Sequence, residues 1–81
     1  MKEVVVFSAE WCPNCPGFKQ ALTAKGVEFR EVDVDTDEGM VEAQKYQVRG
    51  LPTTIILRDG YMERRITGTG NIEGIVKELE D

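Results

Sequence analysis

The sequence predicts an α/β domain of order βαβαββα, a four-stranded mixed sheet flanked by helices, and three observations carry that expectation. Apolar runs alternate with stretches of helical periodicity, an Asp59-Gly60 pair separates two β-rich segments, and a strand, a crossover helix and a strand open the chain. The first unit implies right-handed parallel strands, and the hairpin adds two strands of mixed direction.

Lys2 to Phe7 is β-branched and apolar on both faces, which suits a buried central strand. Cys12 to Lys25 carries Phe18, Ala21 and Leu22 at helical spacing, and Gly26 follows at a capping position. Val27 to Val34 alternates apolar and charged residues with one change of phase, so the strand is clear and its register open. Asp37 and Glu38 put negative charge at the start of a second helix after Thr36, with Met40, Val41 and Ala43 as its apolar stripe and an end near Tyr46. Thr53 to Arg58 and Tyr61 to Ile66 flank Asp59-Gly60, a strong hairpin signal. Asn71 is placed to cap a last helix striped by Ile72, Ile75, Val76 and Leu79, after the turn glycines Gly68 and Gly70.

With 81 residues there is room for one domain, residues 1–81, and one modest core. A hydrophobic fraction of 41% and a charged fraction of 31% are those of a globular chain. The net charge of −5 repels phosphate backbones and anionic lipid, which argues against nucleic-acid and membrane partners. The first apolar run is too short for an export signal and no stretch is long enough to span a bilayer, so a cytoplasmic location is expected. Nothing demands more than a monomer.

The two cysteines, Cys12 and Cys15, lie where the first strand hands over to the first helix. A bridge closing so short a loop constrains the unfolded chain little, so stapling is the weaker reading. A C-x-x-C pair at a helix start is the redox reading, because unpaired N–H groups and the helix dipole favour a thiolate over a thiol there. Cys12, nearest the loop, is the expected nucleophile, and Cys15, a turn on, the thiol that resolves the mixed disulfide. Pro13 suits a first helical position. Pro16 then lacks a donor for the carbonyl of Cys12, which implies an irregular or late first turn. Structural zinc normally takes four thiolate or imidazole ligands, and this chain has no histidine and no third cysteine, so a zinc site requires a dimer. Two inert buried thiols are the other bland alternative. The acids Asp33, Asp35, Asp37 and Glu38 lack the spacing of a calcium loop, and the scattered cations Lys19, Lys25, Lys45, Arg49 and Arg58 read as solvated surface.

Ala9-Glu10-Trp11-Cys12-Pro13-Asn14-Cys15, followed downstream by Val48-Arg49-Gly50-Leu51-Pro52-Thr53, resembles the thioredoxin and glutaredoxin families over nearly the whole chain. The resemblance implies the thioredoxin-like fold, a cis Pro52 facing the cysteines, a Leu51 backbone that pairs with an extended substrate segment, and a Trp11 that shields one side of the nucleophile. Core packing is the alternative role for Trp11. Trp11, Pro13, Leu51, Pro52 and Thr53 are therefore the expected substrate-binding residues.

It further implies a dithiol carrier with no bound cofactor or metal and a reversible Cys12–Cys15 disulfide. Its partners would be disulfide-containing proteins, a ribonucleotide reductase among the candidates, and its electrons would come from a thioredoxin-type reductase or from glutathione. A glutathione-dependent glutaredoxin and a non-catalytic interaction module are the alternatives.

The departures are specific. Thioredoxins usually have Gly-Pro between the cysteines and lysine after them, where this chain has Pro13-Asn14 and Pro16; the Pro-x pair is the glutaredoxin style. Val6 and Glu31 stand where thioredoxins bury an aspartate with a lysine nearby, so proton transfer needs water or another group. Glu10 sits where a basic residue would better hold an anionic tripeptide, and Gly68-Thr69-Gly70-Asn71 replaces a Gly-Gly pair. The chain also lacks the extra N-terminal strand and helix of a full thioredoxin.

Overall fold

A computed structural model describes residues 2–80. The elements run β1 (Lys2–Ser8), α1 (Cys15–Ala24), β2 (Arg30–Asp33), α2 (Asp37–Lys45), β3 (Thr53–Arg58), β4 (Tyr61–Thr67) and α3 (Ile72–Glu80), in the predicted order. They build one sheet ordered β2-β1-β3-β4, with β1 parallel to β2 and antiparallel to β3, and β3 antiparallel to β4.

The unbroken apolar run of β1 follows from its central place, since both of its faces are covered. Val4 and Val6 pack with Phe18 and Leu22 of α1, Ile56, Ile66 and Ile75 of α3. Val5 and Phe7 pack on the other face with Val32, Ile55 and Leu57, next to Ala43 of α2 and to Tyr46, whose ring meets Phe7 edge-on at 6.3 Å. Each fully buried aliphatic or phenyl side chain of this kind contributes about 1.5–3 kcal/mol, so this strand anchors both layers. The hairpin turns through Asp59 (φ 52°) and Gly60 (φ 89°), the double left-handed conformation that a tight two-residue turn needs. Edge strand β4 buries only Ile66 among its seven residues and presents Glu63, Arg64 and Arg65 to solvent, charges that discourage edge pairing.

Several boundaries differ from the sequence expectation. Helix α1 starts at Cys15, not Cys12, with Asn14 as its N-cap; Pro13 lies in the preceding turn, and it is Pro16 that occupies the first helical turn. The cause is the missing N–H of Pro16: the Cys12 carbonyl takes the Cys15 N–H instead, a longer i→i+3 contact of 3.4 Å. Strand β2 is confined to Arg30–Asp33, although Val27 still reaches the core. Its register is set by pairing of Val6 with Glu31 and of Phe7 with Val32.

In α2, Met40 and Val41 are exposed, and the face turned to the sheet is Gly39, Ala43 and Tyr46. Thr36 caps this helix as expected, its hydroxyl accepting the Gly39 N–H at 2.9 Å. At the last helix the Asn71 carbonyl accepts the Ile75 N–H, and Ile75 is fully buried.

Candidate active site

The antiparallel pairing of Phe7 with Thr53 puts the start of β3 beside the end of β1. The loop carrying Cys12 leaves from that end, so the segment Leu51-Pro52-Thr53 and the cysteine loop emerge from neighbouring strands. The cysteine loop is folded by the Cys12 N–H bonding the Ala9 carbonyl at 3.1 Å. Cys12 and Cys15 are joined as a disulfide with their Cα atoms 5.5 Å apart.

Their surroundings differ. Cys15 opens α1 on the face that also carries Phe18 and Leu22, and these three are the buried residues of the helix. Cys12 lies before the N-cap, itself only 4% exposed in the disulfide but flanked by exposed Trp11 and Pro13. No side chain caps this helix, the Cys15 N–H is taken by the Cys12 carbonyl and Pro16 has no N–H, so the donor left in its first turn is the amide of Gly17. An anion at this helix start, such as a Cys12 thiolate, is favoured by the helix dipole.

Trp11 is 66% exposed, which excludes a core role, and its indole N–H donates to Asp35 Oδ1 at 3.3 Å. That bond ties the cysteine loop to the loop after β2, where Asp33 Oδ1 accepts the Asp35 amide at 2.9 Å. The Leu51–Pro52 peptide is cis, as the resemblance implied, and Pro52 is buried. The Pro52 carbonyl is occupied by the Gly68 N–H at 2.8 Å. Thr53 is fully buried, and its hydroxyl donates to the Gly50 carbonyl. The β3 ladder begins at Thr53, which leaves half-buried Leu51 just outside it.

Sequence reasoning missed a polar cluster beside the site. Glu31 accepts from the Ser8 hydroxyl at 2.9 Å and from the Lys19 ammonium. These three residues, with Ala9, Glu10, Pro16 and Asp33, line a cavity of about 270 Å³. A Ser ending an apolar strand and a Lys one turn into the helix were the available signals. The Lys19 ammonium holds the Glu31 carboxyl below its ordinary value of 4.5, partial burial opposes the shift, and Ser8 adds to it.

A carboxyl depressed in the folded state stabilises the fold above its unfolded pKa, and that stability is lost as the pH falls through the folded value. Lys19→Met is therefore expected to lower stability at neutral pH by no more than ~1 kcal/mol, because Glu31 is half exposed and the pair is screened. In urea unfolding, the gap between wild type and variant should close well below the ordinary glutamate value. A gap that persists there would assign the loss to packing.

The described residues hold no cluster of three or more metal-ligating side chains, and no helix among them is long and apolar enough to cross a membrane.

A four-stranded mixed sheet whose β1 leads into a C-x-x-C pair, with a cis proline at the start of neighbouring β3, defines a thiol–disulfide oxidoreductase scaffold, and comparison with known proteins gives its family. The glutaredoxin family model matches residues 4–58. Thioredoxin of Mycolicibacterium smegmatis is 32% identical, the match covering 96% of this chain and 75% of that protein. The crystal structure of Fasciola hepatica thioredoxin has a TM-score of 0.81 and 32% identity over 98% of this chain and 78% of the other. A structure described as the basis of the thiol-resolving mechanism in yeast mitochondrial 1-Cys peroxiredoxin via glutathione/thioredoxin systems has a TM-score of 0.72. Its identity is 29%, over 99% of this chain and 77% of the other. The chain belongs to the thioredoxin/glutaredoxin family and has the thioredoxin fold.

Proposed function

We propose that the protein is a monomeric, cytoplasmic dithiol carrier that reduces protein disulfides, with Cys12 as nucleophile and Cys15 as resolving thiol. The observation that carries this reading is the asymmetry of the pair: Cys15 faces the core from the first position of α1, and Cys12 lies in the loop outside the helix. Cys12 thiolate attacks one sulfur of the partner disulfide and the other sulfur leaves as a thiolate. Cys15 then attacks Cys12 Sγ, which closes the Cys12–Cys15 bond and releases the partner's second thiolate. The partner gains two electrons and the carrier loses them.

Trp11, Pro13, Leu51, Pro52 and Thr53 form the binding surface in this reading, with the Leu51 backbone, outside the β3 ladder, pairing with an extended segment of the partner. A protein disulfide is favoured over glutathione because the cavity beside the α1 start carries Glu10, Glu31 and Asp33 against a single lysine, a poor setting for an anionic tripeptide. A thioredoxin-type reductase is the matching electron source. A 1-Cys peroxiredoxin whose thiol is resolved via glutathione/thioredoxin systems, as described for the yeast structure, represents the class of partner, and a ribonucleotide reductase is a further candidate. The glutaredoxin reading keeps support from the Pro13-Asn14 pair and the family match.

Titration through dithiothreitol and glutathione redox buffers, followed by Trp11 fluorescence and mass, tests the proposal. A reversible two-electron transition near about −270 mV fits a thioredoxin-type carrier, and one near about −200 to −230 mV with rapid reduction by glutathione alone fits a glutaredoxin. A pair that shows no transition is an interaction module's, and the proposal fails.

A further inference from the structure

Backbone pairing lays one row of side chains across the sheet: Glu31 of β2, Val6 of β1, Thr54 of β3 and Ile66 of β4. Val6 and Ile66 belong to the cluster under α1 and α3, and Thr54 lies two residues before Ile56 of the same cluster, so the row faces those helices. Because β3 runs antiparallel to β1, Thr54 is displaced from Ile56 toward the end of β1 that leads into the cysteine loop. Helix α1 runs back from that end, with Cys15 first and Phe18 and Leu22 below it on the same buried face. Thr54 and Cys15 therefore occupy the same end of one packed layer.

Thr54 is fully buried, and its Oγ1 is the buried side-chain polar atom that finds no hydrogen-bond partner among the described residues. Its neighbour Thr53, on the opposite face of the strand, is satisfied by Gly50. Ser8, at the same end of β1, spends its hydroxyl proton on Glu31. An unsatisfied buried hydroxyl is costly and rare, and here it lies at the end of the layer that also holds buried Cys15. A disulfide sulfur is a weak acceptor, whereas a thiolate is a strong one.

We propose that Thr54 donates a hydrogen bond to Cys15 Sγ in the reduced protein, a bond its hydroxyl does not make in the disulfide form. The proposal rests on the dithiol-carrier reading. Reduction adds two electrons and two protons to the Cys12–Cys15 bond and yields two thiols. Ionisation of Cys15 then gives the thiolate that attacks Cys12 Sγ in the mixed disulfide, and the Thr54 hydroxyl stabilises that anion. Thr54 thus favours the reduced form over the disulfide and raises the thiolate fraction of the resolving cysteine. The ionisable groups facing this layer are Glu31 from β2 and Lys19 from α1, already paired with each other. α3 contributes Ile75 to it, and β4 contributes Ile66.

Thr54→Val keeps the shape and removes the donor. Its Cys12–Cys15 equilibrium should move about tenfold toward the disulfide, which is ~30 mV more negative in a dithiothreitol redox titration. In a Cys12→Ser background, where Cys15 is the remaining thiol, ultraviolet thiolate absorbance against pH should show Cys15 ionising at higher pH when Thr54→Val is added. Thr54→Ser should restore both values. The oxidised Thr54→Val protein should be at least as stable as wild type, since an orphaned hydroxyl is gone. An unchanged potential and unchanged titration in Thr54→Val, or a Thr54→Ser protein that behaves like the valine variant, would overturn the inference while leaving the carrier reading intact. Absence of any transition in wild type would overturn both.

Discussion

Replacing Cys12 with serine is expected to reduce disulfide-reductase turnover to the background of the uncatalysed exchange, whereas Cys15→Ser is expected to stall after the first step. The difference follows from where each sulfur lies. Cys12 precedes the N-cap in a loop bounded by exposed Trp11 and Pro13, at the N-terminal end of α1 where the helix dipole favours an anion. Its loop position, between exposed residues and outside the helix, makes it the sulfur assigned to meet a partner disulfide, so its loss removes the first bond-forming step. Cys15 sits on the Phe18–Leu22 face of α1, turned to the sheet. It can reach Cys12, 5.5 Å away between Cα atoms, far more readily than it can reach a large partner. In Cys15→Ser the partner should remain covalently attached to Cys12, and the adduct should be visible as an added mass that dithiothreitol removes. Turnover in Cys12→Ser, or an adduct on Cys15, would reverse the assignment of roles.

Much of this site was legible in the chain because its determinants are local. A C-x-x-C pair, two prolines around it and a helical stripe after it fall within a dozen residues, and each acts through its own backbone. The hairpin was equally plain, since Asp59-Gly60 needs no distant partner to adopt left-handed angles. The late start of α1 followed from Pro16 alone. What escaped depends on contacts between segments far apart in sequence. The partner of Trp11 is Asp35, which lies across a strand crossover.

The stripe of α2 was misjudged because hydrophobicity pointed to Met40 and Val41, while the face that packs includes a glycine, which carries no hydrophobic signal. Thr54 reads as an ordinary strand threonine until the register with Val6 and the direction of α1 place it at the cysteine end of the core. The resemblance alone places Glu31 near the site, and its partners Ser8 and Lys19 emerge only from the pairing with Val6 and the packing of α1.

Gly39→Ala is expected to destabilise the fold by about 3 kcal/mol, although helix propensity alone predicts a gain of about 1 kcal/mol from removing glycine inside a helix. A Cβ at position 39 would lie 1.8 Å from the Asp33 carbonyl oxygen and 2.7 Å from its carbon. Those are backbone atoms at the end of β2, and they have no rotamer by which to withdraw. The helix must move instead. Gly39 also donates its N–H to the Thr36 cap, and Ala43 and Tyr46, on the same face, pack against the Val5–Phe7 side of the sheet, so a displacement loosens cap and core together.

For a domain of this size the loss corresponds to a melting temperature lower by roughly 15 °C in a thermal scan. Gly74→Ala is the control: there the new Cβ meets the end of the Asn71 side chain at 2.5 Å, which can rotate aside, and the change should be small. Because Asp33 holds the Asp35 amide and Asp35 holds the Trp11 indole, Gly39→Ala should also alter Trp11 fluorescence in the folded protein. A variant that melts like wild type with an unchanged Trp11 signal would mean that α2 does not press on the end of β2.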